Sequence, residues 1–285
     1  MSLPQNVGVL GGGRMGAGIA HAFLLAGIQV HVVERDEDAA DAARQRIETS
    51  LERSVARGGD ALSLDELTSA LTVGTSVSDF AQAGLVVEAV PEDRALKAEA
   101  LSRIEAVVAG DAVLATNTSS ISITDLAGGL TFPERFLGLH FFNPVPSSTL
   151  IEVVIGAQTL SSLVDTLRGW VADLGKTAVV VRDSPGFASS RLGVMLALEA
   201  IRMLEEGVAS AADIDAAMEL GYRHPTGPLR TTDIVGLDVR LGIAEELERA
   251  FGERFAPPAL LRRMVDDGQL GRKSGRGFYD WSDER

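Results

Sequence analysis

Val7-Gly8-Val9-Leu10-Gly11-Gly12-Gly13-Arg14-Met15-Gly16 is the stretch whose reading decides the fold. Val7–Leu10 reads as a short buried strand, residues 11–16 spell G-x-G-x-x-G, and Met15–Ala26 continues as a helix. Gly11 permits the tight turn, Gly13 lets the backbone approach a pyrophosphate, and Gly16 lets helix and strand pack closely. The helix N-terminus turns free N–H groups and the positive end of its dipole toward phosphates. Arg14 and Met15 open that helix and count with the glycines as cofactor-binding positions. A second strand, Val30–Val33, ends at Glu34, 23 positions after Gly11. An acid there accepts hydrogen bonds from ribose hydroxyls and repels a 2′-phosphate, so the pattern predicts NAD; the neighbouring Arg35 leaves NADP open. The bland alternative is a structural glycine turn, and the ordered series of strand, loop, helix, strand and acid argues against it.

Further apolar runs follow at Leu71–Gly74, Leu85–Ala89, Val113–Ala115, Phe136–Phe142, Ile151–Ile155 and Ala178–Val181, with helical patterns at Asp36–Arg57 and Glu92–Ala109. Short apolar runs separated by helices predict an α/β fold of Rossmann type, a doubly wound parallel sheet covered on both faces. The pattern changes at Asp183-Ser184-Pro185-Gly186. Beyond it, Phe187–Glu206, Ala211–Leu220, Thr232–Ala250 and Pro258–Asp267 read as helices. The expected organisation is an NAD-binding domain over residues 1–184 and an all-α domain over residues 185–285.

Composition bounds the function. With 285 residues, 46% apolar and 23% charged, the chain is a globular protein of about two domains. Its 26 Lys and Arg against 40 Asp and Glu give a net charge of −14, which argues against nucleic acid as a partner. An anionic small molecule stays open, because a local cluster of cations overrides the mean field. The absence of Cys removes disulfides, thiolate nucleophiles and Cys-based metal sites. Four scattered His, namely His21, His31, His140 and His224, lack metal-ligand spacing, so no metal is expected. No run reaches the ~18 apolar residues of a membrane span, and the first residues carry no basic leader. A soluble, cytoplasmic protein with no membrane contact is the expectation.

Asn117-Thr118-Ser119-Ser120 follows the Val113–Ala115 run, at the strand end where open α/β sheets hold ligands. His140 ends another apolar run, with Asn143 just beyond it. Glu152 lies inside the next strand between Ile151 and Val153, where a carboxylate needs a partner. His140 is the obvious one, and the two make a base with an orienting group. A lone His in such a run would be a core residue; beside Glu152, Asn143 and a dinucleotide loop it reads as catalytic. His21 and His31 read as structural, His224 as a loop hydrogen-bonder, Ser120 as a turn cap, and Phe278, Tyr279 and Trp281 as packing residues.

The segments GGGRMGAGIA, VVEAVPED, ATNTSSISIT, GLHFFNPVP, LIEVV, DSPGF, HPTGPL, IVGLDV and LGRKSGRGFYDW, in this order over nearly the whole chain, resemble the L-3-hydroxyacyl-CoA dehydrogenase family, most closely its 3-hydroxybutyryl-CoA members. The resemblance implies hydride transfer between (S)-3-hydroxyacyl-CoA and 3-ketoacyl-CoA, a step used in fatty-acid and butanoate metabolism. By motif, it implies that His140 is the catalytic base, Glu152 its orienting carboxylate and Ser119 a substrate hydrogen-bonder. Asn143 would lie near the nicotinamide, and Asn117, Glu92, Lys97 and Lys273 at the cofactor. Ser50 and Arg57 on the long helix would contact the CoA moiety. Simpler readings of Lys97 as a solvated helix residue and of Arg57 as surface charge stand beside these. The resemblance also implies a homodimer through the C-terminal helical domain and a substrate cleft between the domains.

Two departures stand out. Ser190 occupies a position where the family often has a substrate-contacting Asn, and would share in positioning the substrate. Ser147-Ser148-Thr149 replaces a common Val-Met-Lys. These departures leave room for a dehydrogenase of a CoA-free hydroxy acid such as carnitine or gulonate. A non-catalytic NAD-binding protein is the third reading, and the presence of His140, Glu152 and Ser119 argues against it.

Overall fold

A computed structural model describes residues 2–58 and 62–284. The chain divides into two compact units, Met1–Ser184 and Pro185–Arg285.

The first unit runs β1 (Asn6–Leu10), α1 (Arg14–Leu25), β2 (Gln29–Val33), α2 (Glu37–Arg57), α3 (Leu64–Ser69), β3 (Leu71–Gly74), β4 (Leu85–Glu88), α4 (Arg94–Glu105), β5 (Val113–Thr116), α5 (Ile123–Ala127), β6 (Phe136–Phe141), β7 (Leu150–Ile155), α6 (Ser162–Asp173) and β8 (Thr177–Arg182). The strands form one sheet in the order β3-β2-β1-β4-β5-β6-β7-β8. Pairing is parallel from β3 through β6, so the C-terminal ends of these strands share one edge. The order reverses between β1 and β4, which is where such sheets open a ligand crevice.

The expectation of a parallel sheet fails at one step, because β7 runs antiparallel to β6. Residues 142–149 join them, too short a link for the crossover of a dozen or more residues that a parallel pair needs. Val7, Val9, Val30, Val32, Val87, Leu137, Ile151 and Val153 are buried in the sheet, which explains the unbroken apolar runs. Helix starts are set by side-chain caps: Asp36 accepts from Ala39 N–H and Asp93 from Leu96 N–H, each at 2.8 Å. Ser63 and Glu66 form a reciprocal capping box at α3.

The second unit is helical: α7 (Ser189–Glu205), α8 (Ala211–Tyr222), α9 (Pro228–Val235), α10 (Leu237–Phe251) and α11 (Ala259–Asp266). The single helix expected over Thr232–Ala250 is two, broken at Gly236, whose φ of +109° lies outside helical space. Val194, Leu198, Ile201, Leu229, Leu237, Leu247, Phe255 and Leu261 make the core. Two buried carboxylates tie the C-terminal run into it. Asp215 accepts from Leu229 N–H, Arg230 N–H and the Tyr279 hydroxyl. Asp233 accepts from Phe278 N–H, Tyr279 N–H and Trp281 Nε1–H. Burial pushes the Asp233 carboxyl up, against the pull of those three bonds. Phe278, Tyr279 and Trp281 thus serve packing. Among the described residues no helix is long and apolar enough to cross a membrane.

Candidate active site

The glycine loop bends at Gly11, whose φ is +95°. A Cβ at Gly16 would lie 1.7 Å from the Gly11 carbonyl oxygen, so the helix packs on the loop backbone there with no room for a side chain. At Gly13 a Cβ would meet nothing within 4 Å. No side chain caps α1 and no acid occupies its first turn, so no side chain of the described residues takes up its N-terminal N–H groups. These features fit a pyrophosphate. Gly16→Ala is therefore expected to lower the melting temperature and weaken NADH binding together. Gly13→Ala should melt like the parent and lose about tenfold in NADH affinity, roughly the 1.4 kcal/mol of one lost charge-assisted contact. Thermal melts and fluorescence titration of NADH separate the two outcomes.

Glu34 leaves β2 and accepts from Gly12 N–H at 2.6 Å, which sets its carboxylate at the mouth of the loop. The Arg35 guanidinium turns away to Asp36 at 2.9 Å. Nothing in this arrangement aims a cation at a 2′-phosphate, which favours NAD.

His140 and Glu152 are directly opposed partners on β6 and β7. His140 Nδ1 lies 2.8 Å from Glu152 Oε2, with both residues buried. A carboxylate only accepts, so Nδ1 carries the proton and the lone pair of the neutral ring sits on Nε2. The Phe142 ring rests 4.4 Å from the imidazole, centroid to centroid. Asn117, at the end of β5, accepts from Phe141 N–H at 2.8 Å. Its side chain thus braces the strand that carries His140. Asn143 lies exposed just beyond, in the loop to β7.

Glu92 and Lys97 belong to a network that the sequence reading missed, centred on Glu88 at the end of β4. Glu88 is buried and accepts from Lys97 Nζ at 2.8 Å, Thr116 Oγ1 at 2.5 Å and Val90 N–H at 2.7 Å. Burial raises its pKa, and Lys97 opposes that rise. Lys97 also lies 3.3 Å from Glu92, so the solvated-helix reading of Lys97 is wrong. Glu92 Oε1 in turn accepts from the Thr118 hydroxyl, Ser119 N–H, Ser120 N–H and the Ser120 hydroxyl. Burial alone would raise the Glu92 pKa, but Lys97 and these donors hold it below the ordinary value. Ser120 is therefore a donor to Glu92 rather than a cap; Ser122 caps α5. The Ser119 hydroxyl makes only a long contact of 3.5 Å with Glu92. The clue was a carboxylate closing an apolar strand with a Lys nine residues on.

A cleft of about 540 Å³ opens between α1, α2 and the 142–149 loop. Arg14, Arg46, Arg53, Ser50 and Asn143 are among its lining residues. Ser50 shares its hydroxyl with His21 Nδ1 at 2.5 Å. Arg57 does not line the cleft; its guanidinium folds back on Arg53 O and Ser54 Oγ. Arg53, one turn earlier, faces the cleft instead. In the second unit, Lys273 pairs with Asp238 at 2.6 Å, and Ser190 is the second residue of α7. Among the described residues no cluster of His, Asp or Glu could hold a metal.

Residues 6–184 match the model of the 3-hydroxyacyl-CoA dehydrogenase NAD-binding domain, and residues 186–281 that of the C-terminal domain. The 3-hydroxybutyryl-CoA dehydrogenase of Mycobacterium tuberculosis is 45% identical over 281 residues, 97% of this chain and 98% of that one. The crystal structure of M. tuberculosis FadB2 superposes with a TM-score of 0.93 at 45% identity, covering 98% of this chain and 99% of the other. That of (S)-3-hydroxybutyryl-CoA dehydrogenase PaaH1 from Ralstonia eutropha gives 0.92 at 37% identity, with 98% and 99% covered. A dinucleotide loop, a cross-strand His–Glu pair at the same sheet edge, and full-length matches in both units agree: the chain belongs to the 3-hydroxyacyl-CoA dehydrogenase family.

Proposed function

We propose that this protein interconverts (S)-3-hydroxyacyl-CoA and 3-ketoacyl-CoA with NAD, the four-carbon thioester being its preferred substrate. The observation that carries the reading is the His140–Glu152 pair, set at the sheet edge that also bears the glycine loop. Bound NAD supplies the hydride acceptor. In oxidation, His140 Nε2 takes the proton of the 3-hydroxyl as hydride leaves C3. Glu152 holds the imidazolium that results, and in reduction the same ring returns the proton. Ser119 positions the substrate oxygen, with Ser190 sharing that task. Asn117 keeps β6 in place, and Glu92 with Lys97 shapes the turn that presents Ser119 at the cofactor.

The arginine-lined cleft is the place for the CoA phosphates, with Ser50 and Arg53 in contact and Arg57 outside it. Removing Arg53 should then raise KM for acetoacetyl-CoA about tenfold with kcat little changed, the pattern of lost uniform binding. Steady-state kinetics of Arg53→Ala beside Arg57→Ala decides it, since an equal effect from both would place the phosphates elsewhere.

The second unit exposes Leu192, Leu220 and Tyr222 at 70%, 83% and 75%, and these apolar side chains suit a homodimer interface. Sedimentation velocity returning only a monomer would sink that part. A Cys-free composition suits the reducing cytoplasm.

The deciding assay follows NADH oxidation with acetoacetyl-CoA, repeated with NADPH and with a longer 3-ketoacyl-CoA. Fast turnover with NADH and the four-carbon thioester is expected. Measurable NADH binding with no turnover of any CoA thioester would overturn the reading in favour of a CoA-free hydroxy acid.

A further inference from the structure

Lys176 stands just before β8, and its ammonium is directed at the backbone of the loop that joins β6 to β7. Its Nζ donates to Val145 O at 2.8 Å and to Ser148 O. Burial lowers its pKa from the ordinary lysine value, the mark of a charge partly withdrawn from water. Such a charge needs partners. Asp173 on α6 lines the same small hollow, yet its carboxylate accepts from Leu3 N–H instead. Among the described residues no acid pairs with Lys176, and two carbonyls of one loop hold its charge.

That loop is a wall of the arginine cleft. Asn143, Pro144, Val145 and Pro146 line the cleft together with Arg14, Arg46 and Arg53. Pro146 also lines the hollow that holds Lys176, so the lysine stands behind the wall. Ser147 N–H and Ser148 N–H both donate to Pro144 O, at 3.2 and 3.0 Å, which curls residues 144–148 into one turn. Val145 anchors the turn twice. Its side chain, 2% exposed, packs on α1, where a Cβ at Gly18 would come within 2.9 Å of it. Its carbonyl is one of the two that Lys176 holds. His140 and Glu152 are fixed separately, as opposed residues of the β6–β7 ladder.

We propose that Lys176 is a positioning residue: it sets the wall of the arginine cleft, and so the affinity for the CoA moiety, while the chemical step stays with the His–Glu pair. This rests on the reading above, in which the CoA phosphates occupy that cleft. An ammonium suits the task, because it presents three donors from one point and serves two carbonyls that converge on it. A side chain without donors would leave the turn held only by Val145 and by its strand ends. The wall would then wander from its place beside the arginines. CoA would bind less tightly, with the proton transfer at His140 intact.

The chain has no Cys, so Lys176→Cys creates a single thiol for alkylation. Treatment with 2-bromoethylamine restores an ammonium at nearly the length of lysine, whereas iodoacetamide adds a neutral group. CoA binding by isothermal titration calorimetry and kcat with acetoacetyl-CoA are read on every form. Lys176→Cys and its iodoacetamide product should bind CoA about tenfold more weakly, with kcat within about twofold of the parent. The aminoethylated form should recover most of that affinity. Lys176→Met, which keeps the stem without the donors, is the second variant should the first fail to fold, and should show the same loss. Parent-like CoA affinity in a folded variant overturns the proposal, and so does a loss that aminoethylation leaves in place. A fall in kcat as large as the fall in affinity overturns it too, since Lys176 would then support the His–Glu pair as much as the cleft. A parent that binds CoA without turning over acetoacetyl-CoA would strike the proposed function and leave the affinity comparison standing. A parent that binds no CoA would overturn both.

Discussion

His140→Gln is expected to lower kcat by about 10²–10⁴-fold or more, the range that a positioned acid–base group supplies, while NADH still binds. The two effects separate because different strands carry them. The glycine loop follows β1 and the acid follows β2, whereas His140 sits on β6. Gln matches the imidazole in length and polarity but cannot hold a proton through the reaction. With Gln at 140 the Glu152 carboxylate, fully buried, keeps a hydrogen-bond donor within reach, so the fold is retained. Rapid-mixing kinetics with acetoacetyl-CoA and a separate NADH titration measure the two effects. A His140→Gln enzyme with near-parent turnover would remove this residue from the chemistry.

Lys97→Met should cost about 3–5 kcal/mol of stability, the penalty for leaving a buried charge without its partner. Glu88 is fully buried and Lys97 nearly so, which keeps solvent from screening the pair. Without Lys97, the Glu88 carboxyl, already raised by burial, rises further. The folded variant then binds a proton that the unfolded chain has released, so its stability falls as pH rises above the ordinary carboxylate range. Below that range Glu88 is protonated in both states and the deficit narrows. Adding Glu88→Gln should restore much of the loss. Urea titrations of parent, single and double variants at several pH values test this. A single variant as stable as the parent at neutral pH would mean that the pair contributes nothing.

The sheet was legible because its central strands are buried on both faces, and an unbroken apolar run such as Leu85–Val87 needs no periodicity to be noticed. The helix α6 went unassigned although Leu163, Leu167, Trp170 and Val171 follow helical spacing and Leu167, Trp170 and Val171 are buried. The antiparallel turn of β7 was readable too, from the short link at 142–149, but strand patterns alone carry no direction. The joint at Gly236 shows the opposite limit: one glycine inside a helical pattern does not announce whether it bends or breaks the helix.

Within the site, His140 and Glu152 were found from chemistry, since a carboxylate among aliphatic residues demands a partner. Glu88 was overlooked because at a strand end it could as well have faced water. Its partners Thr116 and Lys97 come from two other elements. Arg240, a buried cation on α10, hid for a similar reason. A lone cation in an amphipathic helix reads as its wet face until the neighbouring helix shows a glycine opposite it.

The cross-strand placement of the His–Glu pair makes activity a clock for assembly. A one-residue slip between β6 and β7 would turn one partner to the opposite face. The glycine loop and Glu34, which meet the phosphates and ribose of NADH, belong to the first strands. In a refolding experiment, NADH fluorescence would time the closing of that half of the sheet and turnover the docking of the other. The lag between the two signals would give the order in which the halves assemble.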